Sequence, residues 1–338
     1  MPDLSGMLLV VVILALLFDF TNGWHDSANA IATVVSTRVL RPLTAVVMAG
    51  VLNVAGAFMS TAVAKMVGVG IVDPGSVTPV VIAAALSGAI LWNIFTLLLG
   101  LPTSSSHALI GGLVGAALTH GGWAVVHLKG LRKILEAMFV SPLFGFLIGW
   151  LIMVVLSWAF FRVARHVAVL TFSRLQLLSA GFMAFNHGLN DGQKFMGVFV
   201  TTLIAGGALK TFEIPVWVIV LCAVTMGLGT SFGGWRIIQT VGSKMTRLQS
   251  WQGFAAQTSA GFTIFGASLY GIPLSTTHTI TSGIVGSAAA KRVSDVRWGV
   301  LKRIVLAWIV TFPFCALIAY LAATAANAIF HTGTIATL

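Results

Sequence analysis

The sequence predicts an all-α polytopic membrane protein made of two inverted-topology repeats. Three observations lead there: a composition too apolar for a water-soluble domain, apolar runs that recur from end to end, and two polar motifs that each occur twice in the same order. Of 338 residues, 58% are hydrophobic and only 8% are charged, with a mean hydropathy of +1.00, well outside the range of soluble domains. The runs at 8–18, 80–99, 138–161, 216–226 and 304–326 recur along the chain, several of them long enough to cross a hydrocarbon core of about 30 Å.

Taken in order, the expected membrane segments number about ten: 4–36 (interrupted), 43–64, 79–99, 100–119, 136–161, 175–207 (interrupted), 215–235, 251–271, 272–290 and 304–330. The first run is too acidic at its start for a signal peptide, with Asp3 in place of a basic region and no small-residue cleavage site before Thr21, and reads as the first span. Cys222 and Cys315 both lie within apolar spans, so neither a disulfide framework nor a cysteine-rich metal site is expected. The net charge of +11 is spread over short connections instead of forming one patch, which argues for membrane topology and against nucleic acid. With the N-terminus outside, the inside connections hold Arg38, Arg41, Arg162, Arg165, Arg174, Arg236, Lys244, Arg247, Lys291, Arg292, Arg297, Lys302 and Arg303. The outside connections hold only Lys65, Lys129, Arg132, Lys133 and Lys210, an asymmetry that follows the positive-inside rule.

The halves repeat each other. Asn22-Gly23-Trp24-His25-Asp26-Ser27-Ala28-Asn29 is matched 165 residues later by His187-Gly188-Leu189-Asn190-Asp191-Gly192-Gln193-Lys194, with Gly23 on Gly188 and Asp26 on Asp191. Pro102-Thr103-Ser104-Ser105-Ser106-His107 is matched 171 residues later by Pro273-Leu274-Ser275-Thr276-Thr277-His278. Five crossings per repeat is an odd number, so the second half (167–338) enters with orientation opposite to the first (1–166), the plan of many secondary transporters. The two Ser/Thr blocks read either as starts of crossings or as tips of re-entrant hairpins.

Three carboxylates, Asp19, Asp26 and Asp191, lie within apolar stretches, where each needs a partner or a wet cavity. Asp26 and Asp191 are repeated; Asp19 is not, its counterpart being Ala184. The Gly-x-His/Asn-Asp pattern predicts a broken helix near the midplane, and exposed carbonyls beside carboxylates suit Na⁺ or a transported proton. Ser104, Ser105, Ser106, Ser275, Thr276 and Thr277 each sit where a half-helix begins, and helix N-termini suit an oxyanion. Lys194, three residues after Asp191, is placed either to neutralise that carboxylate or to touch the anion. His107 and His278 are matched and stand ready to orient the tips or to respond to pH; His25 and His187 lack any metal-ligand spacing. Phosphate keeps a proton to donate to a carboxylate near neutral pH and sulfate does not, a basis for choosing between them.

These motifs resemble the inorganic phosphate transporter family called PiT, particularly its bacterial low-affinity members, over nearly the whole chain. The resemblance implies symport of inorganic phosphate with H⁺ or Na⁺, or as a neutral metal–phosphate complex. It also implies a homodimer in the cytoplasmic (inner) membrane of a prokaryote, with both termini outside. Carried over residue by residue, Ser104 to Ser106 and Ser275 to Thr277 hold phosphate with Asp26 and Asp191. Asp26, Asn190 and Asp191, with Asn29 and His25, serve the coupling cation, and an Na⁺ ion would lie near Asp26 and Asp191. Lys194, His107, His278, Asn22, Gly23 and Gly188 support them, and no cofactor is implied. His25 stands where Na⁺-coupled members resemble Asn-Asp, which shifts the expectation toward H⁺. A sulfate permease of the same build and an anion channel are the alternatives. An enzyme is not expected, because a nucleophile and its base would not be needed twice.

Overall fold

The computed structural model describes residues 4–73 and 77–335 of the chain, and its side chains over 6–73 and 77–329. It is helical throughout, with one isolated bridge between Val72 and Val126. The first helix, α1 (Leu4–Ser36), has 33 residues. It is followed by α2 (Pro42–Ala57) and α3 (Ala62–Val69), which meet at a bend of 77°. Pro42 opens α2, where its missing N–H would have been unpaired anyway. α4 (Pro79–Leu99) is capped by Thr78, whose hydroxyl accepts from Val81 N–H at 3.3 Å, and it ends at Gly100 with φ of 66°. Next come α5 (Ser105–Gly121) and α6 (Leu128–Ala159). The second half begins with α7 (Arg165–His187), a π-helical turn (Gly188–Gly192) and α8 (Gln193–Ala205). Then follow α9 (Val216–Phe232) and α10 (Trp235–Gln239) with a second π-helical turn (Thr240–Lys244), bent by 60°. The chain closes with α11 (Ser250–Leu269), α12 (Thr276–Ala289) and α13 (Trp298–Ile335).

By length and composition six helices can cross a bilayer, or eight if each bent pair is one span. The expected ten included α11 and α12. α12 has only 14 residues, about 21 Å of helix, and α11 carries Gln252, Gln257 and Ser259 buried against protein. Leu147, Leu151, Leu306, Ile309 and Leu317 on α6 and α13 are exposed, the apolar outer surface of an integral membrane protein.

The expected break in the first motif is absent: Asn22, Gly23, His25 and Asp26 all lie in unbroken α1. Gly23 is used for packing instead, because a Cβ there would strike the carbonyl of Met226 in α9. Gly188 does the same against the carbonyl of Asn53 in α2, but its own motif departs from α-helix into the π turn. There Gln193 Nε2 donates to the Leu189 carbonyl at 2.6 Å, and Gln193 Oε1 accepts from Val63 N–H at the start of α3 at 2.8 Å. Ser27 likewise accepts from Gly234 N–H at the start of α10 at 2.6 Å. A residue near each aspartate thus satisfies one free N–H at the start of each short bent helix.

Packing between the halves is reciprocal. α5 lies on α13 and α12 on α6; α4 lies on α13 and α11 on α6; α1 lies on α9 and α2 on α7. Both long helices carry an internal proline, Pro142 in α6 and Pro313 in α13. Two apolar cores result. One gathers Val11, Ala15 and Phe18 of α1 with Ile82, Leu86 and Ala89 of α4. The other gathers Ala28, Ile31 and Val34 of α1 with Leu97 of α4 and with α12. α1 and α4 therefore run in the same direction from one core to the other, and the polar stretch 19–29 of α1 lies between them.

Candidate functional site

Each Ser/Thr block folds as a short extended segment turning into a helix N-terminus. Ser104 (φ −97°, ψ 109°) and Ser275 (φ −86°, ψ 107°) are the N-caps of α5 and α12 in nearly the same conformation. Their hydroxyls accept from the N–H groups of His107 at 3.3 Å and His278 at 3.2 Å. Those two hydroxyls are spent on capping. The hydroxyls of Ser105, Ser106, Thr276 and Thr277 point elsewhere, and their backbone N–H groups open the helices, where no intrahelical acceptor exists.

The two tips meet. Ser105 donates to Asp26 Oδ2 at 3.2 Å and Thr277 to Asp26 Oδ1 at 3.4 Å, so one carboxylate of α1 receives a hydroxyl from each tip. Thr276 donates to Asp191 Oδ2 at 3.1 Å. Asn29 Nδ2 donates to the hydroxyls of Thr276 (3.2 Å) and Thr277 (2.9 Å), which fixes both hydroxyl protons toward the aspartates. Lys194 ion-pairs with Asp191 at 2.5 Å and donates to Ser106 Oγ and to the Leu274 carbonyl, each at 2.6 Å. The lysine neutralises Asp191 and also ties both tips together. No residue of this group is more than 7% exposed. With two carboxylates and one ammonium so buried, the pairings must be good or the charges would be very costly.

His25 completes the first motif. Its Nδ1 lies 2.7 Å from Asp26 Oδ1, and an ionised carboxylate only accepts, so that nitrogen carries the proton. Nε2 faces the hydroxyls of Thr96 at 3.1 Å and Thr103 at 3.4 Å. In the second motif His187 Nε2 lies 3.1 Å from Asp191 Oδ2. Asp26, His187 and Asp191 offer ligand atoms that all lie within 4.8 Å of one another, close enough to hold a cation. Asn190 turns away, its amide donating to Ser268 of α11 at 2.8 Å. Asn22 is buried and makes no hydrogen bond. His107 and His278 meet edge to face with ring centroids 4.6 Å apart, and His278 stacks on Trp308 at 3.9 Å.

Several contributors are not apparent from the motifs. Thr96 and Thr103 share a 3.0 Å hydroxyl contact beneath His25. Trp308 donates to the Pro102 carbonyl at 2.8 Å, and the Leu274 backbone is a partner of Lys194. Thr103 sits inside the first block and was within reach of sequence reasoning; Thr96 and Trp308 lie in ordinary apolar runs and carry no local signal.

A sequence model described as the phosphate transporter family matches residues 22–319. The chain is 50% identical over 328 residues to a probable low-affinity inorganic phosphate transporter of Rhizobium meliloti (strain 1021), covering 96% of this chain and 97% of that protein. It is 42% identical over 333 residues to a protein of the same description in Bacillus subtilis (strain 168), covering 98% and 100%. Among solved structures it is similar to one described as the sodium-dependent phosphate transporter, with a TM-score of 0.87, 26% identity and coverage of 96% of this chain and all of that one.

Proposed function

The chain belongs to the phosphate transporter family, and from that premise we propose that it is a secondary active symporter taking up inorganic phosphate with a coupling cation. It is a membrane transporter and not an enzyme. The observation that carries the reading is the convergence of two hydroxyl-bearing helix N-termini on Asp26, Asp191 and Lys194.

In this reading phosphate sits between the starts of α5 and α12. It takes N–H groups at those starts and the hydroxyls of Ser105, Ser106, Thr276 and Thr277, which turn from the aspartates toward its oxygens. Ser104 and Ser275 act from behind, as caps that hold the N–H groups in place. Lys194 supplies the positive charge, and a protonated phosphate oxygen donates to Asp26. A cradle of hydroxyls and N–H groups with a single lysine releases its ion more readily than a cluster of arginines would. Because the site is closed to solvent on all sides, phosphate reaches it only when the tips move, which makes alternating access the natural cycle.

The reciprocal packing of α5 on α13 and α12 on α6 supports the reading of 1–166 and 167–338 as inverted repeats with the tips as re-entrant hairpins. Their exchange would open the site alternately to the two sides. We place both termini outside, in the cytoplasmic membrane of a prokaryote, with the protein as a homodimer.

The coupling cation is H⁺ in the favoured reading, because His25 stands beside Asp26 where an amide oxygen would better suit a metal ion. The second reading is Na⁺, favoured by the Asp26–His187–Asp191 group and by the similar structure described as sodium-dependent. Uptake of labelled phosphate into proteoliposomes under separately imposed proton and sodium gradients distinguishes them. The same vesicles challenged with sulfate test the oxyanion: equal competition favours a broader permease, and flux indifferent to both gradients favours a channel.

A further inference from the structure

Among the described residues, three buried polar side chains outside the phosphate cradle make no hydrogen bond with either of their polar atoms: Asp19, Asn22 and Asn93, each 1% exposed. They lie on successive turns of two adjacent helices, α1 and α4. His25 of α1 meets Thr96 of α4 at 3.1 Å, the two helices run in the same direction, and one turn back from that contact lie Asn22 on α1 and Asn93 on α4. Asp19 is one further turn back on the same side of α1, since residues three apart on a helix are neighbours. Below it Phe18, Ala15 and Val11 enter the apolar core.

A carboxylate in such a place cannot stay ionised without a counter-charge. α9, which packs on α1, carries Cys222, and the π turn that α9 meets carries Asp191; neither brings positive charge. On α1 itself His25 is committed to Asp26, and on α8 Lys194 is committed to Asp191, Ser106 and the Leu274 carbonyl. α2, α4 and α11 carry no charged residue; α10 carries Arg236, bonded to the Leu98 carbonyl, and α12 has His278, stacked on Trp308. α7 adds only His187, already beside Asp191, and basic residues toward its start. A proton suffices, since the resulting carboxylic acid can donate to Asn22 Oδ1 one turn away.

Resting on the proton-coupled reading above, we propose that Asp19, with Asn22 and Asn93 around it, is the group that takes up the coupling proton on one side of the membrane and gives it up on the other. The proton travels separately from the phosphate cradle: Asp19 gains it when the outer path is open and loses it to water when the inner path opens, and no bond other than O–H forms or breaks.

The test uses the full chain in liposomes with labelled phosphate. One unit of imposed pH gradient supports about a ten-fold accumulation per coupled proton in the unaltered protein, and Asp19→Asn is expected to lose that factor. Phosphate exchange at equal concentrations on the two sides, which moves no net proton, should persist in Asp19→Asn. Asp19→Glu should keep accumulation with a displaced pH profile. Accumulation by Asp19→Asn equal to the unaltered protein's overturns the assignment while leaving proton coupling intact. If the unaltered protein ignores the pH gradient and follows sodium, the coupling reading and the assignment fall together. Should Asp19→Asn lose exchange as well, Asp19→Glu decides: an undisplaced pH profile overturns the proposal.

Discussion

The two copies of the aspartate motif are alike in position and unlike in charge. Asp26 sits in unbroken α1 and is held by the ring of His25 and one hydroxyl from each tip. Asp191 sits in a π-helical turn and is held by an ammonium, with His187 behind it. Symmetry of placement lets both carboxylates reach the same centre from opposite halves. Asymmetry of compensation leaves one of them, Asp26, free to respond to an arriving cation or to a protonated phosphate, while the other is a permanent anchor. Of the two copies, only the second carries the π turn, at the carboxylate that also pairs with a lysine three residues on, and single π turns inside helices are frequent at functional sites.

The largest expected effect breaks the anchored side. Lys194→Ala leaves Asp191 buried without its ammonium and cuts the tie to Ser106 and Leu274, and removing one partner of a buried pair costs roughly 3 to 5 kcal/mol. Thermal unfolding in detergent should fall steeply and uptake should vanish. Adding Asp191→Asn should recover much of the stability but not the transport, because the charge conflict goes while the anion site stays incomplete. A Lys194→Ala protein of ordinary stability would remove the distinction between the two sides.

Asp26→Asn is expected to be gentler on the fold and just as hard on function. Its donors are one imidazole N–H and two hydroxyls, and the tip hydroxyls can turn, so a loss of about 1 to 2 kcal/mol is expected. Gradient-driven uptake should be abolished, since an amide lacks the charge with which the carboxylate meets a protonated phosphate oxygen. If Asp26→Asn destabilises as much as Lys194→Ala, Asp26 is equally an anchor. Next in size come the tips. Ser105→Ala and Thr276→Val each remove one hydroxyl, worth about 0.5 to 1.5 kcal/mol. That corresponds to a rise of about two- to ten-fold in the phosphate concentration for half-maximal uptake. Ser105→Ala acts on the Asp26 side and Thr276→Val on the Asp191 side, so the two curves measured together show whether the sides share the anion equally.

Much of this centre was legible in the sequence because it is built from local rules used twice. A proline, three hydroxyls and a histidine before an apolar run announce a capped half-helix, and two such blocks at matching positions announce that the ends meet. The membrane carboxylates stood out for the same reason that they are costly. Which motif departs from α-helix was not legible: the second turns into a π-helical turn and the first stays regular. Glycine disfavours helix on average, but Gly23 is held helical by the close approach of the Met226 carbonyl, a tertiary contact that outweighs a local preference. Nor could spacing assign Lys194 to both of its roles, since Leu274 reaches it through a backbone carbonyl, which carries no residue signature. Asp19 was visible as an oddity without a repeat, and its isolation from donors is a property of packing alone.

The smallest expected effect concerns how each tip is tethered. The Leu274 carbonyl before α12 is held by Lys194, a member of the charged centre, whereas the Pro102 carbonyl before α5 is held by the indole of Trp308 on the outer helix α13. The second tip should therefore feel what occupies the centre, and the first should be held by the scaffold. Trp308→Phe keeps a ring to stack on His278 and loses only the 2.8 Å bond to Pro102, about 0.5 to 1.5 kcal/mol acting on one tip. Hydrogen exchange should quicken at the start of α5 and stay unchanged at the start of α12, with the same difference in the presence and absence of phosphate. Quickening at both tips would mean that Trp308 clamps the pair as a unit, and the contrast between a scaffold-held and a site-held tip would have to be abandoned.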